Sequence, residues 1–342
     1  MKQKNLIVGF VIVLVLFFNY CTKQSGFPVL KGPYLGQKPP GTKAEMFAYD
    51  LLSAGYHETH RIFSPDGKEF IYTVFSPAGR LLVEPKGAFG TIFVMYSRME
   101  NGRWTEPIEF LHGRAYRIRY PSFSPDGNRL VFNSWGNRTT RPEKSSLIWY
   151  IDRLNDGWSE PQEVDFGEDY QGRGTVHPSI ASNGNLYFAQ FPDRENGFLY
   201  VSRYENGEYS LPEKLSDTIN KGYGNHPYIA PDESFILFDS DREGGYGTKD
   251  LYISFRDENG AWMKPQNLGA GVNSQYDERR PFLSFDGKYL FFASDRINPE
   301  KPDGAITITQ LQKLTDVPAN SYQHTYWVDA KIIVELKPDE LK

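Results

Sequence analysis

Between residues 57 and 293, dense apolar runs alternate with short polar turns at a repeating interval, a pattern of strands joined by tight turns. Ile62-Phe63 leads into Ser64-Pro65-Asp66-Gly67 and then into Phe70-Ile71-Tyr72. The order returns as Pro121-Ser122-Phe123-Ser124-Pro125-Asp126-Gly127 before Leu130-Val131-Phe132, and as Pro178-Ser179-Ile180-Ala181-Ser182-Asn183-Gly184 before Leu186-Tyr187-Phe188. It recurs in Pro227-Tyr228-Ile229-Ala230-Pro231-Asp232-Glu233 before Ile236-Leu237-Phe238, and in Pro281-Phe282-Leu283-Ser284-Phe285-Asp286-Gly287 before Leu290-Phe291-Phe292. The aligned apolar residues 63, 123, 180, 229 and 283 lie 60, 57, 49 and 54 positions apart. Asp or Asn with Gly supplies the turn geometry, and the run after each turn predicts a strand buried on both faces.

A third strand is predicted at 92–96, 147–151, 199–202 and 251–254. A hairpin then leads to a fourth, at Asn101-Gly102, Asp156-Gly157, Asn206-Gly207 and Asn259-Gly260. Each hairpin is followed by Pro and, three residues later, an apolar position: Phe110, Val164, Leu215 and Leu268. Four strands per unit of about 50 residues predict the blades of a β-propeller.

The Pro-x-Phe-Ser-Pro-Asp-Gly turn, in five copies over residues 44–334, resembles the TolB-type, WD40-like propeller repeat. The resemblance implies the fold and leaves the activity open, because propellers of this type serve many functions. The expected fold is all-β, a single propeller of five four-stranded blades, with six open if the insertion from Ile297 to His324 hides a further blade. Thr307 to Thr315 in that insertion reads as a short helix. The last unit lacks a fourth strand after Tyr326–Ala330, while Phe47 stands 16 residues before Phe63, matching the 13 to 16 residues that separate each fourth strand from the next repeat. Residues 44–50 are therefore expected to be the outer strand that closes the ring.

The chain opens with Lys2 and Lys4 and an apolar run from Leu6 to Phe18, too short for the roughly 20 residues of a membrane-spanning helix but suited to a signal-peptide core. The lone cysteine, Cys21, follows directly and resembles the acylated Cys of bacterial lipoproteins. Residues 1–20 are thus read as a signal peptide, 21–43, with Pro28, Pro33, Pro39 and Pro40, as an extended tether, and 335–342 as a tail. The resemblance implies a lipid-anchored protein of the bacterial envelope, on the periplasmic side of the outer membrane or the cell surface.

Composition narrows the partners. A single Cys excludes a disulfide framework and a CxxC site. A net charge of −5 without basic blocks speaks against nucleic acid. No cofactor is implied, and a monomer is expected. Neither a Gly-x-Ser-x-Gly elbow nor a His-Glu-x-x-His motif is present.

Candidate chemistry lies in the loops entering each innermost strand, which face the central channel on the side opposite the Ser-Pro-Asp-Gly turns. Equivalent positions carry His60, Tyr120, His177, His226 and Arg280, preceded in three units by Arg119, Asn225 and Arg279. This polar ring is a candidate site for an anionic or sugar-like ligand, with the arginines as hydrogen-bond forks. Side chains tying blades together are the plainer alternative. No metal is assigned, since ring-related histidines stand too far apart for bonds of about 2 Å. Glu58 and Glu278 are equivalent by register and form the candidate acid–base pair of a glycoside hydrolase, the alternative to a non-catalytic module binding an envelope protein or glycan. Asp239–Asp250 has neither EF-hand nor P-loop spacing, and its match to Ser294-Asp295-Arg296 predicts an Asp–Arg lock closing the second strand.

Overall fold

A computed structural model describes residues 27–48, 57–76, 91–110, 116, 118–134, 147–168, 170, 174–192, 196–296 and 323–342. Cys21, the signal segment, the expected 307–315 helix and the rest of the insertion up to residue 322 lie outside the described residues.

The strands form a five-bladed propeller. From the axis outward, blade 1 contains His57–Phe63, Glu69–Ser76, Thr91–Glu100 and Ile108–Glu109. Blade 2 contains Arg119–Phe123, Arg129–Ser134, Leu147–Leu154 and Gln162–Glu163. Blade 3 follows with Thr175–Ile180, Leu186–Gln190, Phe198–Ser202 and Glu213–Lys214. Blade 4 has Gly224–Ile229, Phe235–Ser240, Asp250–Phe255 and Gln266–Asn267. Blade 5 joins Glu278–Leu283, Tyr289–Ser294 and His324–Asp329 to Glu45–Met46 from the N-terminal side.

The closing strand pairs antiparallel, Glu45 with Trp327 and Met46 with Tyr326. Phe47 N–H bonds Thr325 O at 2.8 Å, as Phe110, Val164, Leu215 and Leu268 bond Val94, Ile148, Leu199 and Leu251 in the other blades. The predicted equivalence thus extends to single hydrogen bonds. Five apolar clusters fill the wedges between neighbouring blades. Leu130 and Phe132 pack toward blade 1, while Val131 between them packs toward blade 3, so the second strand is buried on both faces as its sequence implied.

The turns hold as expected. In blade 1, Ser64 donates to Asp66 Oδ1 at 2.6 Å, Asp66 accepts Lys68 N–H, and Ser64 Oγ accepts Glu69 N–H. Ser124/Asp126 and Ser284/Asp286 repeat the arrangement. Glycine fills the left-handed position of four turns, but in blade 4 that position is Glu233, with φ 59°. Its carboxylate accepts from Asn185, the Tyr187 hydroxyl and Arg256, coupling blades 3 and 4 in return for the backbone strain.

Two boundaries differ from expectation. The segment read as tether docks over its 30–36 stretch: Trp104 N–H and Nε1–H donate to Leu30 O and Gly32 O, at 3.0 and 2.8 Å. Tyr34 is buried against Phe63, Phe285, Tyr289 and Trp327, and its hydroxyl donates to Asp286 at 2.6 Å. It thereby seals the seam between blades 5 and 1, where an aromatic ring excludes water. At the other end, the helix Lys331–Leu336 crosses the expected boundary and buries Ile333 in the wedge between blades 4 and 5.

Candidate functional site

Every innermost strand breaks its ladder at the same place. The register shifts between Glu58 and His60, Arg119 and Ser122, Val176 and Ser179, Asn225 and Tyr228, and Arg279 and Phe282. Such bulges re-aim a side chain. Tyr120, His177, His226 and Arg280 adopt left-handed backbone, with φ of 51°, 58°, 44° and 57°. Each precedes a proline, a residue with no N–H to lose where the ladder is interrupted. A conformation costing about 1 kcal/mol per non-glycine residue is thus repeated four times. Asn133 and Asp239 from neighbouring strands, and Asn225 from the same strand as His226, support it. Asn133 Oδ1 accepts His177 N–H at 2.6 Å, Asn225 Oδ1 accepts His226 N–H at 2.8 Å, and Asp239 Oδ1 lies 3.4 Å from Arg280 N.

The five equivalent side chains gather around Tyr120. Its ring centroid lies 5.9 Å from that of His60, 4.0 Å from His177, 6.1 Å from His226 and 5.7 Å from the Arg280 guanidinium carbon. His177 and His226 stand 3.9 Å apart. One nitrogen of each histidine is tied back: His60 Nε2 to Pro121 O at 2.9 Å, His177 Nδ1 to Asn225 Oδ1 at 2.6 Å, and His226 Nδ1 to Asp239 Oδ1 at 2.6 Å.

Of the flanking positions, Asn225 is buried within this network, and Arg279 pairs with Asp277. Arg119 sits half-buried, in register with Asn133. Arg280 also donates to Gln323. Burial, with Arg280 beside it, pushes His60 down to about 3. Burial likewise holds His177 and His226 well below the usual imidazole range, helped by their proximity to one another and to Arg280 for His177, and by Arg280 and Arg279 for His226. All three rings are neutral at pH 7. Among the described residues, no group of three His, Cys, Asp or Glu is arranged to hold a metal ion.

Glu278 is placed differently. It is fully buried, and its oxygens accept from Ser274 N–H and Oγ, from Ser294 Oγ and from Arg296 at 2.7–2.9 Å. A carboxylate filled in this way anchors a loop. The Glu58 side chain lies outside the described residues; its backbone pairs with Val74.

The Ser-Asp-Arg repeats form a lock of another kind than expected. Asp241 and Asp295 accept the backbone N–H of Tyr223 and Asp277, at the start of the innermost strand. Arg242 and Arg296 instead fold over the aromatic rings of Tyr252 and Tyr326 and bond the carbonyls of Ile219 and Val272. Asp and Arg of one motif hold different segments and do not pair with each other.

The opposite end of the channel holds a feature the sequence reading missed. A funnel of about 460 Å³ is lined by Phe123, Tyr228, Phe282, Leu283 and Phe285 among others. Its signal was the aligned apolar column itself, since Phe63, Phe123, Ile180, Ile229 and Leu283 all line the funnel.

No protein-family model and no curated protein sequence matches the chain. Among solved structures it is similar to a putative TolB from Agrobacterium tumefaciens, with TM-score 0.45 and 17% identity over 72% of this chain and 73% of that one. It is similar also to TolB from Acinetobacter baumannii, with TM-score 0.44 and 16% identity over 79% of this chain and 54% of that one. Tricorn protease gives TM-score 0.45 and 17% identity over 70% of this chain and 20% of that one. The chain thus spans about half the length of the Acinetobacter protein and a fifth of the tricorn protease. Likenesses this distant assign no activity to any residue, and it is the five sheets, their register and the strand that closes them that make this chain a β-propeller.

Proposed function

We propose that the protein is a non-catalytic binding module of a bacterial envelope, held at a membrane by a lipid on Cys21. Its ligand site is the channel mouth formed by His60, Tyr120, His177, His226 and Arg280, and its ligand is an envelope protein or glycan. The observation that carries this reading is chemical. Around Tyr120, buried polar atoms (His60 Nδ1, His226 Nε2, Asp239 Oδ2 and Arg280 Nε) have no hydrogen-bond partner among the described residues. Buried polar groups are ordinarily satisfied, so such a cluster at a channel mouth suits a polar ligand. The anchor is supported by the order of Lys2, Lys4, the apolar core and Cys21.

The test is photo-crosslinking in intact cells from a probe amino acid placed at Tyr246, an exposed residue of a loop adjoining the innermost strands of blades 4 and 5. Recovery of one partner, lost on Tyr120→Ala in a protein that still folds, supports the reading. Turnover of an envelope polysaccharide that disappears on Glu278→Gln with folding intact overturns it in favour of the hydrolase. Metabolic labelling with a fatty-acid analogue tests the anchor: label is expected on the wild type and absent from Cys21→Ser.

A further inference from the structure

The channel histidines are each tied by one nitrogen to an atom that accepts hydrogen bonds. Pro121 O is a carbonyl and Asp239 Oδ1 a carboxylate oxygen. Asn225 is oriented by His226 N–H, which can only donate to it and so places the amide oxygen toward both histidines. A neutral imidazole has a single N–H. That proton therefore sits on the tied nitrogen, and the other nitrogen presents a bare lone pair. In His60 the bare atom is Nδ1, and in His226, only 5% exposed, it is Nε2. Among the described residues both are buried without a donor, and so is Asp239 Oδ2; the Nε–H groups of Arg279 and Arg280 are buried there without an acceptor. The His60 and His226 rings and the Arg280 guanidinium thus border the Tyr120 ring, and the charge of Arg279 also acts on His226.

This mixture discriminates between ligands. A carboxylate, or a phosphate group that carries no proton, offers only acceptors here: it would suit the arginines and face the imidazole nitrogens lone pair to lone pair. An ammonium group offers only donors and would meet the cationic Arg279, Arg280 and Lys249. A hydroxyl donates and accepts from the same atom. We infer that the channel mouth takes the hydroxyl groups of a saccharide, which donate to His60 Nδ1 and His226 Nε2 and accept from Arg279 and Arg280, with the sugar face against Tyr120. This rests on the channel mouth being the ligand site and names the chemistry recognised there. A site built to hydrogen-bond a hydroxyl strongly rejects the analogue that lacks it.

The full chain in a zwitterionic detergent is titrated with glucose, galactose, mannose and N-acetylglucosamine, and separately with acetate, phosphate and an acidic peptide. Binding is followed by calorimetry and by the ring signals of labelled Tyr120. Long-range proton–nitrogen correlation of the histidine rings reads the tautomers directly. The expected result is protons on His60 Nε2 and His226 Nδ1, and a saccharide that shifts Tyr120. His60→Leu should weaken that saccharide at least tenfold, as should a deoxy analogue on the unaltered protein, a comparison that does not depend on the variant folding. Reversed tautomers overturn the inference. It is overturned equally if acetate, phosphate or the peptide shifts Tyr120 and no saccharide does, an outcome that leaves the channel mouth a ligand site. If no probe shifts Tyr120, the ligand site itself is wrong.

Discussion

Asn133, in the second strand of blade 2, accepts the backbone N–H of His177 from the first strand of blade 3 at 2.6 Å and donates to Thr175 O at 2.7 Å. One fully buried amide thus serves a donor and an acceptor of the neighbouring blade at the bulge that aims His177 into the channel. Asn133→Ala leaves both groups buried and unpaired. The expected loss is about 2–3 kcal/mol, read as a lower urea midpoint with an unchanged slope. Asn133→Asp keeps the acceptor for His177 N–H but sets a buried carboxylate oxygen against Thr175 O, and should lose at least as much. Equal stability of the alanine variant and the wild type would falsify the support role.

Acid should destabilise the ring through its buried histidines. Burial lowers His60 to about 3 and His324 to about 4, and holds His177 and His226 well below 6.5. The unfolded chain binds these protons first as pH falls. The stability held by the four neutral rings is therefore complete above about pH 6.5 and is lost progressively below it, by about 1.4 kcal/mol per pH unit for each ring. Melting temperature measured from pH 7.5 down to pH 4.5 should fall steeply below pH 6.5, and His324→Gln should flatten the slope.

Glu233 occupies a turn position that glycine fills in the other four blades. Glu233→Gly relieves the left-handed backbone but removes the acceptor shared by Asn185, Tyr187 and Arg256. The net effect is expected to be a loss of about 1–2 kcal/mol, because groups left buried without a partner outweigh the relief of one residue's strain. A double-mutant cycle with Tyr187→Phe should show coupling of about 1 kcal/mol between the two sites. An additive cycle would mean that the carboxylate contributes nothing across the blade boundary.

Three N-terminal truncations should rank by melting temperature. A chain beginning at Phe27 keeps Tyr34 and Leu35 in the seam and should match the full protein. Starting at Lys43 removes both buried residues and should melt lower. Starting at Tyr56 also removes the Glu45–Met46 strand, exposes the edge of His324–Asp329, and should melt lowest and aggregate.

Much of the fold was legible because a propeller writes each structural position five times. Phe47 could be matched to Phe110, Val164, Leu215 and Leu268 by spacing alone, since the same hydrogen bond recurs in every blade. The channel residues were legible for the same reason: His60, Tyr120, His177, His226 and Arg280 share a register, and a shared register in a ring means shared space. Contacts made once leave no periodic trace. Tyr34 sits in a Pro- and Gly-rich stretch that reads as extended, and nothing local indicates that a seam distant in sequence has room for its ring. The partner of Arg296 was misread likewise, since adjacency suggested Asp295 while folding back over Tyr326 delivers the guanidinium to Glu278.

The strand that closes the ring has a temporal meaning. Tyr34 and its partner Asp286 are 252 positions apart, and Glu45 waits for Trp327 in the same way. A chain emerging from its N-terminus can build blades 1 to 4 one after another from nearby contacts, but Glu45–Met46 has no strand to pair with until His324–Asp329 arrives. Contacts of such long sequence separation form late and slowly. During that interval the apolar faces of blades 5 and 1 are uncovered and His324–Asp329 is an open strand edge, able to pair with another copy of the same chain. Whatever shortens the wait, whether a chaperone on the early segment or a fixed N-terminus, acts on the step at which this molecule is most exposed to misassembly.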